Sequence, residues 1–175
     1  MLKWMVVGCA LVALVGGCSR HVDAVAKAEP TRWDPCSLTP ESIAATGLDP
    51  SYRDVGWGEG IVVDDWARCS FKPPGVGAPY FLSVQSSLVH SFTEIQQDTR
   101  NIEGRAIEIG DRDAFQYRRV IGRSAVACSV GIDMQVGVVI FSVNYLEYVE
   151  GETDPCAIVV EHTTDLESAL PAAAR

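Results

Sequence analysis

The sequence predicts an α+β domain, a mainly antiparallel sheet with packed helices and two disulfides. Three observations carry that expectation. The expected elements run helix, strands, helix, strands, helix, and most strands are joined by links too short for the crossover that parallel pairing needs. Residues 125–132 and 137–145 form the most strongly β-branched hairpin in the chain. Cys36, Cys69, Cys128 and Cys156 remain once the two cysteines of the N-terminal segment are set aside, an even number that suits disulfides in an exported protein.

The N-terminal segment gives the reason to expect export. Met1-Leu2-Lys3 makes a basic start, and the fourteen residues from Trp4 to Gly17 carry no charge. That run is too short to read as a spanning helix and closes on Val15-Gly16-Gly17-Cys18. Small residues before a cysteine are a lipobox: they let a dedicated peptidase fit the backbone, and the cysteine sulfur carries a diacylglyceryl group. Residues 1–17 are therefore expected to be a lipoprotein signal peptide and Cys18 the lipidation site, with Cys9 discarded along with the leader. Two or three acyl chains, at about 0.8 kcal/mol per buried methylene, pass the threshold for stable anchoring. The expected partner is thus a membrane, held through the lipid anchor from its outer, extracytoplasmic face.

Residues 18–32 hold few large apolar side chains and read as a tether, so the domain spans 33–171, with a tail over 172–175. Within it, Thr39 as N-cap, Pro40 at the first helical position and a Leu38–Ile43 staple start a short helix over residues 40–46, which Gly47 ends. Residues 61–64, 66–72 and 80–89 read as strands, the last two divided by Pro73-Pro74-Gly75. Ser91-Phe92-Thr93-Glu94 has capping-box spacing and opens a helix to residue 101. Strands follow at 105–109 and 112–119, then the 125–145 hairpin. A last helix over 155–170, capped by Asp154 or Thr153, places Val159, Thr163, Leu166 and Leu170 on one face.

Charge narrows the partners. The chain carries 14 basic and 23 acidic residues, a formal net charge of −9, and loss of Lys3 with the leader takes it to −10. Nucleic acid is excluded, since affinity there comes mainly from neutralised phosphates. No cysteine pair has zinc-site spacing and no histidine lies near a cysteine, so no metal is expected. Asp34-Pro35-Cys36 and Asp154-Pro155-Cys156 each place a cysteine at a helix entry, while Cys69 and Cys128 fall in expected strands. The economical pairing joins each helix to a strand, Cys36 with Cys69 and Cys128 with Cys156; the crossed pairings stay open.

No catalytic residues emerge. Gly-x-Ser-x-Gly, Ser-x-x-Lys and Cys-x-x-Cys are absent, and no cofactor fingerprint is found. His21, His90 and His162 are scattered, and Asp64-Asp65 and Asp111-Arg112-Asp113 read as turn residues. Arg118, Arg119 and Arg123 make a local basic spot of the kind that is usually solvated. Gly56-Trp57-Gly58-Glu59-Gly60 holds an aromatic in a flexible loop with Tyr52 nearby, a composition suited to stacking on a sugar or gripping a peptide. Trp57 and Tyr52 are the candidate ligand contacts.

With the lipobox, Asp34-Pro35-Cys36-Ser37-Leu38-Thr39-Pro40-Glu41, Cys69, Cys128, Asp154-Pro155-Cys156 and the closing Asp165-Leu166-Glu167-Ser168-Ala169-Leu170-Pro171 in this order, the chain resembles a family of actinobacterial, mycobacterial-type envelope lipoproteins known as domain of unknown function 3558. The resemblance covers residues 33–171, and the Gly-rich stretch at residues 55–60 departs from it. It implies an extracytoplasmic α+β domain similar to the PsbP/Mog1 sandwich and supplies no catalytic residues. The expectation is a membrane-anchored, non-enzymatic lipoprotein that binds a small ligand or an envelope protein. The rival expectations are a cell-envelope hydrolase with carboxylates assembled by the fold, and a structural or assembly factor of a membrane complex.

Overall fold

The computed structural model describes residues 30–121, 125–145 and 153–173; Cys18, the expected signal peptide, His21 and Arg123 lie outside them. Seven strands make one sheet: β1 (Asp54–Val55), β2 (Ala67–Phe71), β3 (Tyr80–Ser87), β4 (Ile102–Ile109), β5 (Arg112–Ile121), β6 (Ala125–Asp133) and β7 (Val138–Tyr145). Their order in space is β1-β2-β3-β7-β6-β5-β4, with every neighbouring pair antiparallel. Two meanders, β1 to β3 and β4 to β7, therefore meet at the β3–β7 ladder. Three helices complete the fold, α1 (Pro40–Ala45), α2 (Phe92–Gln97) and α3 (Pro155–Leu166), with 3-10 turns at Pro35–Ser37 and Glu167–Ala169.

The helix starts follow from short polar side chains that take up free backbone N–H groups. Thr39 Oγ1 accepts from the Ser42 N–H at 3.2 Å. Ser91 and Glu94 cap each other's backbone at 3.2 and 2.8 Å, the capping box read from their spacing. Asp34 accepts from the Cys36 N–H at 2.9 Å and Asp154 from the Cys156 N–H at 3.0 Å. The repeated Asp-Pro-Cys is thus one local device used twice: Asp caps a helical turn, Pro pre-sets it, and the cysteine is presented to the sheet. Cys36 bonds to Cys69 with Cα atoms 5.2 Å apart, and Cys128 to Cys156 at 5.0 Å, the local pairing.

Three expected boundaries are corrected. Residues 61–64 are not a strand: Ile61 is 58% and Val62 81% exposed. The outer edge of β2 is already occupied, because Asp54 pairs with Ser70 and Val55 with Cys69, so the apolar run has no edge to join. Helix α2 stops at Gln97 rather than 101, since Asp98 turns extended and its side chain accepts from the Arg100 N–H at 3.0 Å. Helix α3 ends at Leu166, and the expected final turn is the 3-10 turn.

Strand alternation sorts the sheet into two unlike faces. Helices α1 and α3 cover one, where Phe71, Leu82, Val84, Val130, Phe141 and Val143 are wholly buried with Val159, Thr163 and Leu166 of α3 against them. Burying one such aromatic contributes about 2–3 kcal/mol. Since α2 connects β3 to the far edge strand β4, it has to cross the other face, and there Ile95 packs on Tyr117, Val138 and Ile140. Gly137, before β7, has φ +79°, and a Cβ there would lie 1.8 Å from the Ser87 carbonyl oxygen, so glycine alone fits against the end of β3. No helix among the described residues is long and apolar enough to cross a membrane.

Candidate functional site

The face crossed by α2 is only partly covered, and its floor is polar. Ser70, Ser83, Ser142, Ser129 and Tyr117 are successive cross-strand partners through β2, β3, β7, β6 and β5, so their hydroxyls share one row on one face. Ser129 and Ser142 hydroxyls lie 2.8 Å apart, and the Ser83 hydroxyl accepts from Arg68 Nε at 2.8 Å. Flanking rows add Gln85 and Asn144. Because Ser129, Ser142 and Ala127 are small, the centre of the floor is low, and a cleft of about 550 Å³ opens over it. That size lies within the range of roughly 300–1,000 Å³ found for small-molecule sites.

Aromatic rings and ion pairs make the walls. Trp57 and Trp66 stand on the segment before β2 and line the cleft together with His90, Glu94, Asp98 and Arg119. The Arg68 guanidinium sits 5.4 Å from the Trp57 ring centre, and His90 stacks on Trp66 at 5.0 Å. His90 also lies 3.3 Å from Glu94 and 3.9 Å from Asp65, joining α2 to the tryptophan-bearing segment. Two buried atoms of lining residues have no hydrogen-bond partner among the described residues: the Trp57 indole N–H, a donor, and the Asn144 side-chain oxygen, an acceptor.

The charged groups of the lining are engaged with one another. Asp98 accepts from Arg100 at 2.8 Å and from Arg119 at 2.8 Å, and the hydrogen bonds from Arg100 above all hold its carboxyl at about 2. Glu94 is held below its usual range, first by the Ser91 backbone N–H and then by His90. Both carboxylates stay ionised near neutral pH and neither is tuned to hand over a proton. Burial pushes the Tyr117 phenol up, leaving it neutral against Ser129.

The model of a protein family of unknown function, DUF3558, matches residues 13–169. The chain belongs to that family. Neither curated proteins nor solved structures give a match.

For this DUF3558 domain, the residues singled out in the sequence fall in different places. Trp57 lines the cleft. Tyr52 does not; it packs on Phe81 at 6.0 Å beneath the Lys72 ammonium, 4.9 Å from its ring. The four cysteines tie the opposite, core-side layer. Arg118 pairs with Glu103 at 2.9 Å and Asp154 at 2.8 Å, and Arg119 belongs to the cleft wall, so the two described members of the basic spot are spent on internal pairs. Arg112 is buried, bonding Glu167 and the Pro171 carbonyl to hold the chain after α3. Among the described residues no three His, Cys, Asp or Glu side chains gather as metal ligands. Trp66, Gln85, Ser129, Ser142 and Asn144 escaped the sequence reading. Their signal is small or amide side chains alternating with Val and Phe in strands, as in Phe141-Ser142-Val143-Asn144, which marks a polar face that is covered rather than fully solvated.

Proposed function

We propose that the protein is a lipid-anchored, extracytoplasmic and non-enzymatic binding protein whose cleft on the α2 face holds a small ligand. The observation that carries this reading is the cleft itself: half-exposed tryptophans stand over a floor of hydroxyl and amide groups, with one unmet donor and one unmet acceptor in the lining. Unmet buried polar atoms cost about 1–3 kcal/mol each, which a ligand of matching polarity recovers. The hydrolase reading finds no proton donor in Glu94 and Asp98, whose partners keep both ionised. The anchoring rests on Val15-Gly16-Gly17-Cys18 behind an uncharged run, and the two disulfides suit an oxidising compartment. The PsbP/Mog1-like sandwich implied by the sequence resemblance belongs to the same proposal: helices on both faces of an antiparallel sheet are in keeping with it.

Metabolic labelling with a radioactive fatty acid tests the anchor. The wild-type chain should take up label and fractionate with membranes, and Cys18→Ser should take up none, leaving a retained precursor or an aberrantly cleaved product. Label persisting in the variant would remove the lipidation assignment. In parallel, the purified full chain should leave ester, peptide and glycoside substrates intact; turnover that is lost in Glu94→Gln or Asp98→Asn would replace the binding reading with the hydrolase one.

A further inference from the structure

We infer that the cleft is a carbohydrate site, taking a neutral saccharide whose ring lies against Trp57 or Trp66 and whose hydroxyls meet the floor. This rests on the cleft being a ligand site and names the class of ligand. Three features of the lining point the same way.

The first is the chemistry of the floor. Ser129, Ser142, Asn144 and Gln85 each carry a side chain that both donates and accepts. A sugar hydroxyl does the same, so either partner can take either role at every contact. The second is charge. Arg100 and Arg119 are matched in the lining by Glu94 and Asp98, and both arginines are bonded to Asp98. Arg68, beside Trp57, donates to Ser83 and to the Gly56 carbonyl, so each of these described cations already has a partner. An anionic ligand would have to share these cations with Asp98, whereas a neutral one leaves the pairs undisturbed.

The third is the placement of the rings. The indole faces carry negative charge density that attracts the weakly positive C–H groups on the apolar side of a sugar ring. Trp57 and Trp66 are only half-buried, and each is backed by a neighbour, Arg68 for one and His90 for the other. A peptide would be served differently. Strand addition needs a free sheet edge, but the cleft lies over β3, β7 and β6 in the middle of the sheet, where the backbone groups are paired within the ladders.

The test uses the full chain, purified in detergent and applied to an array of neutral glycans, acidic glycans and short neutral peptides. Binding to neutral glycans is expected. Trp57→Ala should weaken it by about tenfold or more, as for an aromatic anchor. The Ser129→Ala/Ser142→Ala pair, which removes floor hydroxyls and little volume, should weaken it by about three- to tenfold in a chain that still unfolds cooperatively above the assay temperature. Competition by free disaccharide separates a soluble sugar from one displayed on a polymer, and either source leaves the inference standing. Trp57-dependent binding of peptides or of acidic glycans alone would end the saccharide assignment while keeping the cleft as a ligand site. Absence of binding to every class, or glycan binding indifferent to both sets of substitutions, would end the inference and the binding role of the cleft together.

Discussion

His162 shows how one residue converts burial into pH dependence. It lies on the buried face of α3, 5% exposed, with Nε2 2.8 Å from the Tyr80 hydroxyl and Nδ1 without a partner among the described residues. Burial pulls its pKa below the usual 6.5 and outweighs the opposing pull of Glu161 and Asp165. Between the unfolded and folded values the unfolded chain binds the extra proton, so stability is full above about 6.5 and falls as pH drops through that value toward the folded one. Melting curves between about pH 7.5 and about pH 5 should show this loss in the wild type. His162→Gln, which keeps a polar group for Tyr80 and does not titrate, should flatten it. An unchanged slope in the variant would assign the effect to other groups.

At the scale of elements, what could be read ahead of the structure was whatever a segment settles with its own neighbours. The Thr39 cap, the Ser91–Glu94 capping box, the Asp-Pro-Cys turns and the β-branched 125–145 hairpin are local devices, and they stand where their spacing put them. Residues 61–64 looked like a strand because their apolar pattern is right, yet a strand also needs a free edge, and the two-residue β1 holds it. The cleft was beyond reach for the same reason. Ser70, Ser83, Ser142 and Ser129 come together only through the β2-β3-β7-β6 order, which no local pattern encodes. Of the two expected ligand contacts, Trp57 reached the lining because its loop leads into β2, while Tyr52, a few residues earlier, is drawn onto Phe81. The disulfides obey the local logic, and each closes a segment with a sequence separation of 33 or 28 residues. Chain entropy assigns about 3–4 kcal/mol to each. Replacing both Cys128 and Cys156 with alanine should lower unfolding stability in urea by about 2–5 kcal/mol. Non-reducing peptide maps of the wild type should recover only the local pairs, and a Cys36–Cys156 peptide would contradict the topology.

For the whole molecule, the two-meander plan sets where stability is greatest. Strands β6 and β7 are central, and the interior of β7 is buried on both faces, between α3 on one side and the α2 layer on the other. Their amides should open only with global unfolding, whereas β1, at the sheet edge with both residues exposed, and the 56–66 segment should open locally. The division bears on the proposed ligand site: Trp57 and Trp66 sit on the segment expected to open locally, while Ser129, Ser142 and Asn144 sit on the strands expected not to. A rigid floor under a yielding wall would let the proposed ligand enter without disturbing the core. Hydrogen exchange followed by mass spectrometry should therefore find peptides from residues 128–132 and 139–143 the slowest in the chain and those from 56–66 among the fastest. If residues 56–66 proved as protected as β7, the wall would be part of the core, and Trp57 and Trp66 would lose their role as the adjustable side of the site.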